Sequence, residues 1–296
     1  MLGIVLTQLL LVVTLLLAAG AALFIGRDRL QQTRTEYRTR LTSISPYMGL
    51  LGIVLVANKV ARDIGPDISW VIGWNITPYI HELDGLLLAP FYRGQAPQVV
   101  VWLQSMATPE LTLYFTSIYV YGYVFLLAFP VVAYFALPDP RPLRRTIVAY
   151  GANYVIGVTC YIVFIAYGPR NLLSESVEGL MFSHHSQYQF LTTAINSETN
   201  VFPSLHTSMA VTALVLAWTT HDEYPRWTPV AALLASSVVV ATMYLGIHWA
   251  TDVIFGILLG VVSVKIGQRM EENPPEFVRL RRWSRSLQNL MPTRAK

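Results

Sequence analysis

The chain has 296 residues, 54% of them hydrophobic and only 13% charged, with a single cysteine. A soluble globular chain carries about 25% charged residues, so an ordinary soluble domain is excluded, and one cysteine excludes an internal disulfide framework. The formal net charge of +4 invites a nucleic-acid partner. We expect none, because the basic residues lie in short segments beside apolar runs, where anionic headgroups are nearer.

The first apolar run, Leu2 to Ile25, carries no charge and is near the ~20 residues that cross a bilayer. It exceeds the roughly 7–15-residue core of a cleaved signal, and no basic residue precedes it, so it reads as a retained helix. The Arg-rich stretch after it reads as a solvated helix face or interfacial connector. A weaker run, Pro46 to Val60, is the second span. Gly65 to Glu110 is rich in Trp, Tyr, Pro and Gly. It reads as interfacial turns and a short helix lying over the bundle, with aromatics at headgroup level. Further runs follow at Leu111 to Leu137, Ile147 to Tyr167, Ser208 to Thr220, Val230 to Ile247 and Val253 to Val264. Gly168 to Asn200 is a long connection between the fourth and fifth. Lipid leaves backbone groups no partner outside their own segment, so every span must be helical. The expected fold is all-α: a polytopic membrane helical bundle of about seven transmembrane helices. N-terminal membrane helices plus the interfacial segment cover 1–110, a core covers 111–268, and a cytoplasmic basic tail covers 269–296.

Lys and Arg gather after the first, third and fifth runs, as Arg27 to Arg40, Arg141 to Arg145, and Arg226, and again from Lys265 to Lys296. Only Lys59, Arg62, Arg93 and Arg170 fall on the other side. Positive residues favour the cytoplasm, so the N-terminus and the connections after the second, fourth and sixth spans are expected outside. The protein is expected in the cell membrane.

Three clusters then share one side. Arg170 follows the fourth span in "AYGPRNLL", Ser204 and His206 open the fifth in "FPSLHTS", and His248 and Asp252 open the seventh in "YLGIHWATDVIFG". His248 and Asp252 are four apart, so on a helix they share a face. The carboxylate can accept a hydrogen bond from one ring nitrogen, which leaves the other nitrogen's lone pair exposed as a nucleophile toward phosphorus. His206 can give a proton to the departing oxygen. Ser204, backbone N–H groups at the helix start and the planar fork of Arg170 can bind phosphate oxygens. These parts describe phosphoryl transfer through a phosphohistidine, with no metal and no cofactor. Each residue alone has a plainer reading: an interfacial histidine, a helix cap at Asp252 or Ser204, a headgroup anchor at Arg170. The adjacent His184 and His185, and the His81, Glu82, Asp84 group, are weak metal signals, and no metal is assigned.

At these residues the sequence resembles the type 2 phosphatidic acid phosphatase superfamily, over roughly Leu111 to Lys265. Its three motifs are Lys-x6-Arg-Pro, Pro-Ser-Gly-His and Ser-Arg-x5-His-x3-Asp. Here "PSLH" matches the second with Leu205 for Gly, "ATMYLGIHWATD" matches the third, and "GPR" stands where the first ends. The resemblance implies His248 as nucleophile, Asp252 as its partner, His206 as general acid/base, and Arg170 and Ser204 as phosphate binders. The family lysine is replaced by Val163 and the third-motif arginine by Thr242. Lys59 and Arg62 are candidates to compensate as phosphate binders; otherwise they anchor headgroups. The departures resemble the branch of inositol phosphorylceramide synthases and related inositolphosphotransferases. The expected function is a membrane-embedded lipid phosphatase or phosphotransferase. Its substrate is a phospholipid or polyprenyl (pyro)phosphate, and its acceptor is water or a polyol hydroxyl. The alternative is a non-catalytic transporter or binding protein for an anionic lipid, against which no pair of matching broken spans is seen. A vanadate-dependent peroxidase is disfavoured by the spans.

Overall fold

A computed structural model describes residues 2–94, 96–184 and 201–273. Helix α1 (Leu2–Gly20) runs on through a π-helical turn, Ala21–Ile25, and the chain reverses at Gly26, whose φ of 84° suits glycine. Helix α2 (Arg27–Ile72) is 46 residues long. The sequence divides this stretch into a connector and a weak span, but the structure makes it one helix. Its polar half is held by side-chain pairs one turn apart: Gln32 donates to Glu36 at 3.1 Å and Arg40 to Glu36 at 2.9 Å.

The interfacial segment contains α3 (Thr77–Leu87), a 3-10 turn at Ala89–Phe91, and α4 (Val99–Gln104). Then come α5 (Pro109–Ser117), a second π turn at Ile118–Gly122, and α6 (Tyr123–Phe135). Together these three form one continuous span, opened by Thr108, whose hydroxyl accepts from Leu111 N. Helix α7 (Arg141–Val163) is followed by the short α8 (Pro169–Leu172) and α9 (Leu180–His184). The bundle closes with α10 (Leu205–Thr219), α11 (Trp227–Tyr244) and α12 (Ala250–Glu272). Strands β1 (Trp74–Asn75) and β2 (Phe164–Ile165) pair in parallel and tie the end of α2 to the end of α7.

Among the described residues six helices are long and apolar enough to cross a membrane, and α10, a shorter apolar helix of 15 residues, lies among them. Its first turn packs within protein, with Ser204, Leu205 and Thr207 all buried, while Trp218 at its far end is exposed.

Glycines set how the central helices approach. Gly256 and Gly260 of α12 face α10 so closely that an added Cβ would lie 2.6 Å from the carbonyl oxygens of Ser204 and Ser208, respectively. Such small-residue seams let helix backbones touch where lipid offers no hydrophobic drive to associate. Between α7, α10 and α12 lies a buried polar chain. Asn153 donates to Thr212 Oγ1 at 3.1 Å and accepts from Ser208 Oγ at 2.8 Å, while Thr212 donates to the Ser208 carbonyl at 2.8 Å. Thr212 Oγ1 also reaches the Gly260 carbonyl of α12 at 3.3 Å, which fixes the α10–α12 pair in depth and rotation and matters because each helix opens with a candidate site residue.

Candidate active site

The site begins with the end of α11. Gly246, at φ 73°, donates to the Met243 carbonyl at 2.9 Å, and Ile247 donates to the Thr242 carbonyl at 3.0 Å. This is the paired bonding of a Schellman end, which favours glycine at the reversing residue. His248 N also donates to the Thr242 carbonyl, at 3.0 Å. His248 therefore lies in a fixed turn before α12. The four-residue spacing predicts one shared helical face for His248 and Asp252, but only Asp252 is in the helix, and the two side chains meet across its N-terminus.

His248 Nδ1 lies 3.6 Å from Asp252 Oδ2, with the two side chains 2% and 0% exposed. That is near contact but longer than a hydrogen bond. Nδ1 of His248 and Oδ1 of Asp252 have no hydrogen-bond partner in this state. Asp252 Oδ2 accepts from Trp249 N at 2.9 Å, so this carboxylate also closes the first turn of α12. Burial pushes the His248 imidazole down to about 3, opposed by the Val201 backbone carbonyl facing the ring and reinforced by the positive charge of Arg170. The ring is neutral at physiological pH.

His206 sits in the first turn of α10. Its ring centroid is 6.2 Å from that of His248, so the two imidazoles share one space. Tyr119 stacks on it at 4.6 Å and Tyr123 leans on it at 4.8 Å. Tyr119 lies within the π turn of Ile118–Gly122 and Tyr123 directly follows it, and π turns inside helices recur at functional sites. The sequence reading missed both. Their signal was the aromatic cluster "YVYGYVF", which does not stand out in a chain with 16 tyrosines.

Ser204 is fully buried. Its hydroxyl accepts from Thr207 N at 3.3 Å and donates to Thr207 Oγ1 at 3.0 Å, as a helix N-cap does. Its backbone N donates to the Asp252 carbonyl at 3.1 Å, joining the openings of α10 and α12.

Arg170 opens α8 beside the same turn, with its backbone N donating to the Gly246 carbonyl at 3.3 Å and its guanidinium over the Phe182 ring at 4.7 Å. Its charge acts on His248 and on Tyr119. From α2, Arg62 lies over the Tyr161 ring at 5.8 Å, close enough to act electrostatically on His206. Lys59 is not brought to the cluster. Its ammonium pairs with Asp63 at 2.9 Å and its side chain is 77% exposed. Thr242, where the resemblance expects arginine, is buried and donates to the Val239 carbonyl at 2.8 Å.

The side chains of His184 and His185 lie outside the described residues. His81, Glu82 and Asp84 do not converge. His81 packs edge-on against Trp249 and contacts Gln98 at 3.0 Å, and Glu82 is exposed. Asp84 reaches α12, where Oδ1 accepts from Ala250 N at 2.7 Å and Thr251 N at 3.3 Å. Burial raises the Asp84 carboxyl, opposed by the backbone N–H groups of Thr251, Ala250 and Val99.

The arrangement gathers two imidazoles and a buried carboxylate at the starts of two helices, with two guanidinium groups near enough to act on the imidazoles electrostatically. Such a set can hold a phosphate group and move a proton to or from it. A family model described as PAP2 superfamily matches residues 96–266. Among solved structures, the crystal structure of Aquifex aeolicus LpxE is similar at 22% identity and a TM-score of 0.46, covering 58% of this chain and 93% of that one. No curated protein matches the chain.

Proposed function

The chain belongs to the PAP2 superfamily and is a phosphatase-type membrane enzyme, and from that premise we propose that it cleaves a lipid phosphate ester through a phosphohistidine on His248. The observation that carries this reading is the 6.2 Å approach of the His206 and His248 rings, with Asp252 buried behind His248.

In the first step a lone pair of His248 forms a bond to phosphorus, and the bond from phosphorus to the leaving oxygen breaks. His206, which enters this step as the imidazolium once the anionic phosphate is bound beside it, gives that oxygen its proton and becomes neutral. Asp252 balances the positive charge that develops on the His248 ring, and the present 3.6 Å separation shortens as it does so; catalytic hydrogen bonds are often long before substrate binds. Arg170 and Arg62 stabilise the charge on the equatorial oxygens. In the second step an acceptor hydroxyl loses its proton to His206 and bonds to phosphorus, and the phosphorus–nitrogen bond breaks. Ser204 keeps its capping role and holds the start of α10, so that backbone N–H groups there face the phosphate. Lys59 takes no part. The site faces the extracytoplasmic side, because the arginine-rich ends of the helices lie at the opposite end of the bundle.

The acceptor decides between hydrolysis and transfer. With Val163 and Thr242 in place of two family cations, the site suits a phosphodiester with one negative charge better than a pyrophosphate. That favours headgroup transfer to a polyol, in keeping with the inositolphosphotransferase-like motifs. The test is to incubate purified protein with phosphatidic acid, polyprenyl pyrophosphate or an inositol phospholipid, with and without free inositol. Headgroup exchange without phosphate release is expected. Phosphate release that ignores inositol overturns the transfer reading, and no turnover of any lipid, with binding retained, returns the reading to a lipid-binding protein.

A further inference from the structure

We propose that Asp84 is a positioning residue for the His248–Asp252 pair, holding the first turn of α12 in place from the interfacial helix α3. The proposal rests on the phosphohistidine reading above, since it assigns Asp84 the task of orienting that pair.

The first N–H groups of any helix lack partners within the helix. In α12 the residue before the helix is Trp249, whose side chain offers no oxygen to cap them. The Trp249 N–H goes to Asp252. The Ala250 and Thr251 N–H groups go to Asp84 Oδ1, across 166 and 167 residues of chain. The other oxygen, Oδ2, accepts from Val99 N at 3.2 Å, the first residue of α4. One fully buried carboxylate thus caps two helices. Trp249 is held from the same quarter, by its indole N–H on the Tyr167 carbonyl at 2.8 Å and by the edge of His81 on its ring.

Helix α3 is suited to carry this group. Thr77, Ile80 and Asp84 face the bundle, while Tyr79, Leu83 and Leu86 are exposed on the opposite side. The spacing makes one face polar-tipped toward α12 and the other apolar toward the membrane interface. The helix is therefore anchored on one side and free to impose its position on the other. Because Asp252 is the third residue of α12 while His248 is held from α11 by the Thr242 carbonyl, a shift of this turn moves Asp252 relative to His248. A misplacement of about 1 Å can cost roughly 10²-fold in rate.

Three substitutions test this in the full-length protein, using whichever lipid of the panel above turns over fastest. Asp84→Ala removes all three bonds. Asp84→Asn keeps one acceptor for α12 but turns an amide donor toward Val99 N–H. Val99→Pro deletes only that last donor. It is compatible with the backbone, because Gln98 is extended at φ −62° and ψ 152° and proline is at home in the first turn of a helix. The expected result is a kcat lowered roughly 10²-fold in Asp84→Ala with KM within about two-fold, and phosphoenzyme formation slowed by the same factor. Asp84→Asn should fall between, and adding Val99→Pro to it should restore part of the loss. If Asp84→Asn lowers the thermal midpoint but leaves kcat per folded molecule unchanged, Asp84 is only a structural cap and the proposal is overturned. A change confined to KM overturns it as well. His248→Ala in the same assay separates the two levels. If His248→Ala is inactive and the Asp84 variants are normal, only the positioning role fails; if His248→Ala is active, the phosphohistidine reading fails.

Discussion

At the end of the bundle where α6 and α10 finish and α2 and α7 begin, arginines are bound into the structure. Arg29 pairs with Glu223 at 2.8 Å and Arg145 with Glu271 at 3.4 Å. Arg40 is held between Glu36 and the carbonyls of Phe135 and Leu137, at 2.9 and 2.6 Å to the latter two, where it satisfies the last carbonyl of α6 and the Leu137 carbonyl just beyond it. At the other end charges are fewer. Buried polar atoms without a hydrogen-bond partner occur at both ends, Tyr47 Oη and Arg145 Nε at the first, His248 Nδ1 and Asp252 Oδ1 at the second, but at the second they belong to an imidazole and a carboxylate that face each other. Buried polar atoms are nearly always satisfied, and exceptions call for a reason. The first end uses its charge for architecture and orientation. The second sets an imidazole and a carboxylate face to face with no hydrogen bond between them, the pair proposed above to act on a phosphate.

The sharpest break in this comparison is His248→Ala. Turnover should fall by roughly 10³-fold or more and the trapped phosphoenzyme should vanish, while the protein still folds. Asp252→Asn should cost about 10²–10⁴-fold, since the amide can still accept from Trp249 N but no longer balances charge on the ring. The same buried histidine also sets a pH dependence of stability. Its folded value, about 3, lies below the ~6.5 of an unfolded histidine, so the unfolded chain takes up the proton first as pH falls. Stability is therefore full above about pH 6.5 and declines toward pH 3. A flatter acid limb in thermal melts of His248→Ala is the expected signature.

Much of this was legible in the sequence, for physical reasons that differ by element. The apolar runs were legible because bilayer thickness sets their length. The convergence of Arg170, Ser204, His206, His248 and Asp252 was legible as a shared depth at alternating ends of the spans. Helix α2 was not, because its first half is too polar for a span and its helicity depends on pairs such as Gln32–Glu36–Arg40. The link from Asp84 to α12 was not, because its partners there are 166 and 167 residues away. Gly256 and Gly260 do carry a readable spacing of small residues, but which helix they meet is a tertiary fact.

That seam gives the next test. Gly256→Leu places atoms where only 2.6 Å separates a Cβ from the Ser204 carbonyl. It should destabilise by about 1–3 kcal/mol and also lower kcat, because α10 and α12 carry one imidazole and the Asp252 carboxylate between them. Thermal melts and turnover of the same preparation would show both losses together.

The architectural end should behave differently. Arg40→Ala strips charge-assisted hydrogen bonds from the last carbonyl of α6 and from the Leu137 carbonyl just beyond it, and should cost about 1.5–3 kcal/mol of stability. Turnover per folded molecule should stay unchanged. A parallel fall in kcat would mean that the two ends are coupled and that the division of labour between them is not real.

The smallest expected effect compares two neighbours on α2. Arg62 faces the site, over Tyr161 and within electrostatic reach of His206, whereas Lys59 points outward into a pair with Asp63. An exposed pair one turn apart contributes little, so Lys59→Ala should leave KM and kcat within about two-fold. Arg62→Ala removes the α2 cation that acts electrostatically on His206 and is proposed to act on the phosphate. A loss of about 1 kcal/mol there corresponds to roughly a five-fold change in kcat/KM. Arg62→Lys should recover less than the full activity, because an ammonium can neither stack on Tyr161 nor present a planar fork. Equal effects of the Lys59 and Arg62 substitutions would show that α2 contributes only a diffuse field. A difference confined to Arg62 would show that a helix outside the family-matched segment supplies one of the site's cations.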